Sequence, residues 1–313
     1  IKKDKKKFDL KNSDKVIKKL NFKLTNDQKK TLIEINNDLT SKSKMFRLLQ
    51  GDVGSGKTIV SLISALNVVN SGYQVALMAP TEILARQHFV LAKKIFPTQI
   101  NLALLSSKSE NKIKKEIIDN LKTKKIDMVF GTHAIFQKKI TFSNLGFIII
   151  DEQHKFGVRQ RKLLSDKGGN NCDVLLMSAT PIPRTLTMSI YGDMDISIIR
   201  EKPNNRKEVK TYSKLESKIE DVINFVKKEI YEGNQIFWVC PLIEVSKKLD
   251  HESAVKKFEY LNKIFPNKVA LLHGKIENDE KEKILNKFLE KKFLILVSTT
   301  IIEVGIDFPN ANV

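Results

Sequence analysis

The sequence predicts an α/β protein of two successive domains, each a parallel sheet covered by helices. Short apolar runs alternate with amphipathic stretches of helical period, the pattern of repeated βαβ units. A glycine-rich loop ending in Lys-Thr lies between the first such run and a long helical stretch. The alternation then breaks at a polar, proline-marked segment around Pro203 and restarts beyond it. A chain of 313 residues is long enough to bury two cores.

Residues 1–24 are lysine-rich, with Phe8, Leu10, Val16, Ile17 and Leu20 as spaced apolar positions. That spacing predicts a helical connector leading from a missing upstream domain. Residues 25–200 form the first domain. Its strands are predicted at 46–49, 75–78, 102–105, 127–130, 147–150 and 174–177, with helices between most of them. The linker is expected at 201–212. In the second domain, residues 213–313, helices are predicted near 216–231, 246–263 and 278–291. Strands are predicted there at 236–239, 269–272 and 294–297.

Composition narrows the function class. Hydrophobic residues make up 41% and charged residues 29%, as in ordinary globular proteins. No apolar run approaches the roughly 18 residues that span a bilayer, and the charged opening residues do not read as a signal peptide. Cys172 and Cys240 sit in unrelated contexts and suggest neither disulfide nor metal framework. A cytoplasmic location fits these features. The net charge of +19 favours a polyanionic partner. Abundant lysine, isoleucine and asparagine also follow from biased genome composition, so charge alone does not decide.

Gly51-Asp52-Val53-Gly54-Ser55-Gly56-Lys57-Thr58 matches the phosphate-binding loop G-x-x-x-x-G-K-[ST] in its required strand–loop–helix context. Glycines let the backbone wrap closely, so that N–H groups and the following helix N-terminus face phosphates. Lys57 is expected to reach the β- and γ-phosphates, and the Thr58 hydroxyl to hold Mg²⁺. The acidic partner is Asp151-Glu152, at the end of the apolar run 147–150. Such a pair closes many strands as a merely solvated end. With the loop present it reads as Asp151 for Mg²⁺ and Glu152 to orient and deprotonate an attacking water.

Asp151-Glu152-Gln153-His154 is a DExH box, and Ser178-Ala179-Thr180 resembles the third motif of superfamily 2 helicases. The surrounding sequence, Lys155 to Arg161 and Pro181 to Leu186, resembles the RecG family of DNA helicases. Lys155 stands where that family usually has arginine. Ser55, Gln153 and the segment Val239-Cys240-Pro241-Leu242-Ile243-Glu244 resemble RecG rather than the transcription-repair coupling factors. The resemblance runs from about Leu20 to Val313. It implies two RecA-like P-loop domains, the second incomplete, and an ATP- and Mg²⁺-dependent motor that remodels branched double-stranded DNA as a monomer. A coupling-factor motor, or a nucleotide-binding module that never cycles, are the alternatives.

Further residues acquire roles by that resemblance. Gln28, in Leu24-Thr25-Asn26-Asp27-Gln28, resembles the glutamine that reads the adenine edge; the family's proline is replaced upstream by Asn21. Thr81, in the segment 79–88, and Gly131-Thr132 resemble DNA-contacting motifs. Either threonine is equally accounted for as an ordinary helix N-cap. Thr299, Thr300, Gly305 and Asp307 fall in a segment similar to motif V, which touches nucleic acid and the nucleotide sugar. His154, Ser178, Thr180 and Arg184 are expected to couple the γ-phosphate to the interdomain surface, with Arg159 and Arg161 nearby. The family's motif VI and wedge domain are not in the sequence, and Ile1 and Val313 both read as cut ends. The fragment is therefore expected to bind ATP and to hydrolyse it weakly.

Overall fold

The computed structural model describes residues 2–3, 6–8, 11–106, 109–137, 139–152, 169, 172–180, 194–203, 209–240, 247–299 and 308–313. Two compact units divide between Lys207 and Glu208.

In the first unit the described strands are β1 (Phe46–Gly51), β2 (Gln74–Met78), β3 (Leu102–Leu105), β4 (Met128–Gly131), β5 (Leu145–Ile150), β6 (Asp173–Ser178) and β7 (Asp195–Ile199). They form one sheet in the order β3-β4-β2-β5-β6-β1-β7. Every neighbouring pair is parallel. Because side chains alternate across a strand, the sheet feeds two cores. Phe147 and Ile149 of β5 join Leu49, Leu77, Phe130 and Leu175 on one face. Ile148 and Ile150 join Leu48, Ala76, Val129 and Leu176 on the other. Both faces being covered, the strands read as unbroken apolar runs, and this is why they were legible.

Strand β7 is not among the predicted strands. It is an edge strand opening on Asp195, and only Ser197 and Ile199 are buried along it, so it lacks the unbroken apolar run of a strand covered on both faces.

Helices α1 (Lys11–Lys19), α2 (Asn26–Thr40), α3 (Lys57–Asn70), α4 (Glu82–Ile95) and α5 (Asn111–Lys122) cover the sheet. Helix α3 is buried almost all round, from Ile59 through Val69, because α1 and α2 pack over it while its other side meets the strands. Thr25 starts α2 with a full capping box, its hydroxyl accepting from the Gln28 N–H and the Gln28 amide oxygen accepting from the Thr25 N–H. The first 24 residues, expected as a helical connector, fall within this unit and contain α1. Val16 is buried in the core, Phe8, Ile17 and Leu20 pack against it, and Lys3 and Lys6 are drawn inside by Asp173.

In the second unit β8 (Ile236–Val239), β9 (Val269–Leu272) and β10 (Ile295–Ser298) make a parallel sheet in the order β8-β10-β9. Helices α6 (Ile219–Tyr231), α7 (Lys247–Ile264) and α8 (Asn278–Leu289) alternate with these strands. Ile223, Val226, Leu261 and Phe265 close the core against Ile236, Ile295 and Val297. Among the described residues no helix is long and apolar enough to cross a membrane.

Both cysteines are buried and free. Burial pushes the Cys172 thiol up to about 12 and raises that of Cys240. A thiolate-specific reagent at mildly alkaline pH, where an exposed cysteine ionises with a pKa near 8.5, is therefore expected to label neither thiol until denaturant is added. Fast labelling of the native protein at Cys172 would contradict the buried placement.

Candidate active site and nucleic-acid edge

Strand β1 ends directly in the glycine loop, and β5 ends directly in Asp151. The two strands flank β6, two strand spacings or about 10 Å apart. Leu48 and Ile150 both pair with Leu176, so Asp151 leaves the sheet level with Leu49, two residues before Gly51, and both tips open on the same edge. This carboxyl edge is where open parallel sheets bind ligands.

The loop is shaped by its glycines. Gly56, the N-cap of α3, has φ +90°, a left-handed conformation that costs other residues energy. A Cβ there would also come within 2.3 Å of the Gln28 amide nitrogen. No side chain caps α3, so its first N–H groups have no side-chain acceptor from the cap. The buried Ser55 hydroxyl likewise finds no hydrogen-bond partner among the described residues. Lys57 is buried, and its ammonium donates to the carbonyls of Gly51 at 2.6 Å and Asp52 at 3.2 Å. The loop is thus folded around its own cation, a donor set of the kind a polyphosphate requires. Gly54 (φ +75°) lies on the exposed side of the loop, and Thr58 follows Lys57 in the first turn of α3.

Gln28, expected to read the adenine edge, is engaged within the fold. It is 1% exposed. Its amide nitrogen donates to the Ser55 carbonyl at 2.7 Å, and its oxygen serves the α2 cap. The glutamine lies under the phosphate loop, and one amide hydrogen and one lone pair remain for any base.

Asp151 and Glu152 are both buried. The Asp151 N–H donates to the Met78 carbonyl, and one carboxylate oxygen accepts from the Glu152 N–H at 3.1 Å. The other oxygen lies 2.7 Å from His88 Nε2. Glu152 has φ +50°, left-handed for a non-glycine residue. Strain of this kind, of order 1–3 kcal/mol, persists only where the surrounding structure imposes it.

Ser178 and Thr180 are tied to each other, hydroxyl to hydroxyl at 2.9 Å. The Gln50 side-chain amide donates to the Thr180 carbonyl at 3.1 Å. Gln50 immediately precedes Gly51, so this segment is fastened to the root of the phosphate loop. Gln50, 7% exposed, belongs to no motif, and its one trace in the sequence is a polar residue closing an apolar strand. His154, Arg159, Arg161 and Arg184 lie outside the described residues.

Of the nucleic-acid candidates, Thr81 caps α4, its hydroxyl accepting from the Leu84 N–H at 3.4 Å. Met78 is level with Ile150 and with Gly131, so Thr81, Gly131 and Thr132 share the edge that carries Asp151. Thr132 is a correction: it precedes a short 3₁₀ turn, His133–Phe136, and makes no capping hydrogen bond. Gly131 has a packing explanation, since a Cβ would lie 2.6 Å from the Leu105 carbonyl. In the second unit Thr299 is 4% exposed at the tip of β10. Thr300, Gly305 and Asp307 lie outside the described residues.

A phosphate loop and an acidic strand tip on one parallel sheet, followed by a second parallel α/β unit, define a P-loop nucleotide-binding protein of the two-domain kind. The chain belongs to the DEAD/DEAH box helicase family, whose model matches residues 25–189. The helicase conserved C-terminal domain model matches residues 217–313. Both units are RecA-like helicase domains. The chain is similar to the ATP-dependent DNA helicase RecG of Thermotoga maritima, 48% identical over 98% of this chain and 40% of the relative. It is 51% identical to that of Aquifex aeolicus over 96% of this chain and 38% of the relative. The chain thus spans about two fifths of the length of these relatives. A solved structure of RecG bound to a three-way DNA junction superposes with a TM-score of 0.86 and 43% identity, covering 99% of this chain and 41% of that one. Mss116p bound to ssRNA and AMP-PNP shares the fold, with a TM-score of 0.67 and 20% identity over 99% of this chain and 70% of that one.

Proposed function

We propose that this chain is the motor of an ATP-dependent DNA helicase that remodels branched double-stranded DNA. The observation that carries the reading is the juxtaposition of loop and acidic tip across β6, within a chain similar to RecG over almost its whole length. ATP is the substrate. Its phosphates enter the loop, and their oxygens take the place of the Gly51 and Asp52 carbonyls on the Lys57 ammonium. The N-terminal N–H groups of α3 and the Ser55 hydroxyl complete the cradle.

Thr58 and Asp151 would hold Mg²⁺, which would neutralise charge on the β- and γ-phosphates. Glu152 accepts the proton of the attacking water. Thr81, at a helix N-terminus where backbone N–H groups favour anions, contacts a DNA phosphate. Thr180, fastened to Gln50, passes the state of the loop to the segment that follows β6. Gln28, unable to offer adenine its whole amide while it caps α2, holds the loop and reads the base with its remaining hydrogen.

Lys57→Ala tests the site. Each charge-assisted hydrogen bond it makes to phosphate is worth roughly 1.5–3 kcal/mol, so ATP is expected to bind about 10–100-fold more weakly. In the full-length protein, a three-way junction is expected to raise ATP turnover more than linear duplex does. Unchanged ATP binding in the Lys57 variant, or turnover indifferent to the junction, overturns the proposal.

A further inference from the structure

His88 links the edge proposed for DNA to the carboxylate proposed for the metal. It lies on α4, the helix capped by Thr81, seven residues or about 10 Å along the axis from that cap. His88 shares the buried face of α4 with Leu84 and Ala85, one turn nearer that cap. His88 is 7% exposed and its ring meets Asp151 inside the unit. A carboxylate only accepts, so His88 Nε2–H donates to Asp151 Oδ2 at 2.7 Å.

The two oxygens of Asp151 are therefore held by different parts of the fold. One is fixed by the Glu152 N–H, within the same strand tip. Among the described residues the other is held from α4, an element that follows β2 in the chain. The Asp151 main chain is itself tied to the sheet through Met78. Together the Glu152 and His88 N–H groups fix the rotation of the carboxyl group about its last bond, the variable that sets how an oxygen faces a metal.

We infer that His88 is a positioning residue for Asp151, and that through it the occupancy of the α4 N-terminus sets the geometry of the Mg²⁺ site. The inference rests on the nucleotide and DNA reading above and deepens it. A phosphate drawn to the Thr81 end pulls on a helix of 14 residues. The helix moves as a rod, and the imidazole at its second turn carries the displacement to Asp151. Nucleic acid thereby promotes ATP turnover from the acidic side of the site, without contact with the phosphate loop.

The test is Mg²⁺ dependence of fluorescent ATP-analogue binding by the full-length protein, with and without a three-way junction. His88→Ala is expected to raise the half-saturating Mg²⁺ concentration about 10–100-fold, as removal of a ligand's hydrogen-bond partner does. Addition of the junction is expected to lower that concentration in the unsubstituted protein and to leave it unmoved in the variant. His88→Gln, which returns an N–H at similar reach, is expected to restore both. Should the alanine variant unfold, His88→Leu fills the volume without a donor and replaces it.

Wild-type Mg²⁺ dependence in a folded variant lacking the donor overturns the inference, as does failure of glutamine to rescue. Asp151→Asn separates this from failure of the underlying reading. If that variant also binds Mg²⁺ and nucleotide normally, the metal site itself has been misassigned. If it does not, the fault lies with His88 alone.

Discussion

Glu152→Gln is expected to lower junction-stimulated ATP turnover of the full-length protein by about 10²–10⁴-fold, the usual contribution of a positioned general base. ATP binding is expected to stay close to that of the unsubstituted protein. The substitution keeps size and hydrogen-bonding shape while removing the capacity to take a proton. Shape matters at this position, because the side chain is 2% exposed and its backbone is held in the left-handed region at φ +50°. A truncation to alanine would confound chemistry with repacking. Single-turnover hydrolysis and equilibrium nucleotide binding, measured on the same variant, separate the two. Loss of binding together with turnover would assign Glu152 to the architecture of the strand tip. Turnover within about threefold of the unsubstituted protein would remove it from the role of base altogether.

The central strands and the phosphate loop were legible because each carries a local signal. Strand β5 is buried on both faces and so reads as a continuous apolar run. The loop is a contiguous motif whose spacing follows from phosphate geometry. What escaped is of another kind. Gln50, His88 and Asp173 act through partners 130, 63 and about 170 residues away, and no local pattern encodes such a pairing. The burial of Gln28 beneath Ser55 escaped for the same reason. Thr132 misled because the threonine–turn pattern of an N-cap also precedes 3₁₀ turns that leave the hydroxyl unused. The burial of Lys3 and Lys6 escaped too, because a lysine stem is apolar and its ammonium goes wherever a carboxylate can meet it.

That carboxylate, Asp173, carries the largest stability prediction. It opens β6 with its side chain fully buried. It accepts from the ammonium of Lys3 at 2.6 Å, from that of Lys6 at 2.5 Å, and from the Met45 N–H at 2.7 Å. Lys3 also donates to the Asp38 and Leu39 carbonyls. Even with this acid beside it, burial holds the Lys3 ammonium below the usual lysine range; desolvation outweighs the attraction of Asp173. Asp173→Ala would leave two buried cations facing each other with no counter-charge. Breaking a buried pair by removing one partner costs about 3–5 kcal/mol, and the N-terminal arm is expected to detach before the core melts. For a unit of this size each kcal/mol moves the melting temperature by about 2–4 °C, so a drop of roughly 10 °C is the expected reading in a thermal scan. Replacing Lys3 and Lys6 by methionine together with Asp173→Ala removes the charges as a set, and is expected to recover most of that loss, since an apolar replacement of a buried ion cluster is often neutral. The same recovery would show that the cluster fastens the arm by avoiding an unpaired charge more than by net attraction. A single Asp173→Ala variant melting within about 2 °C of the unsubstituted protein would mean that the arm is solvated and the cluster does not hold it.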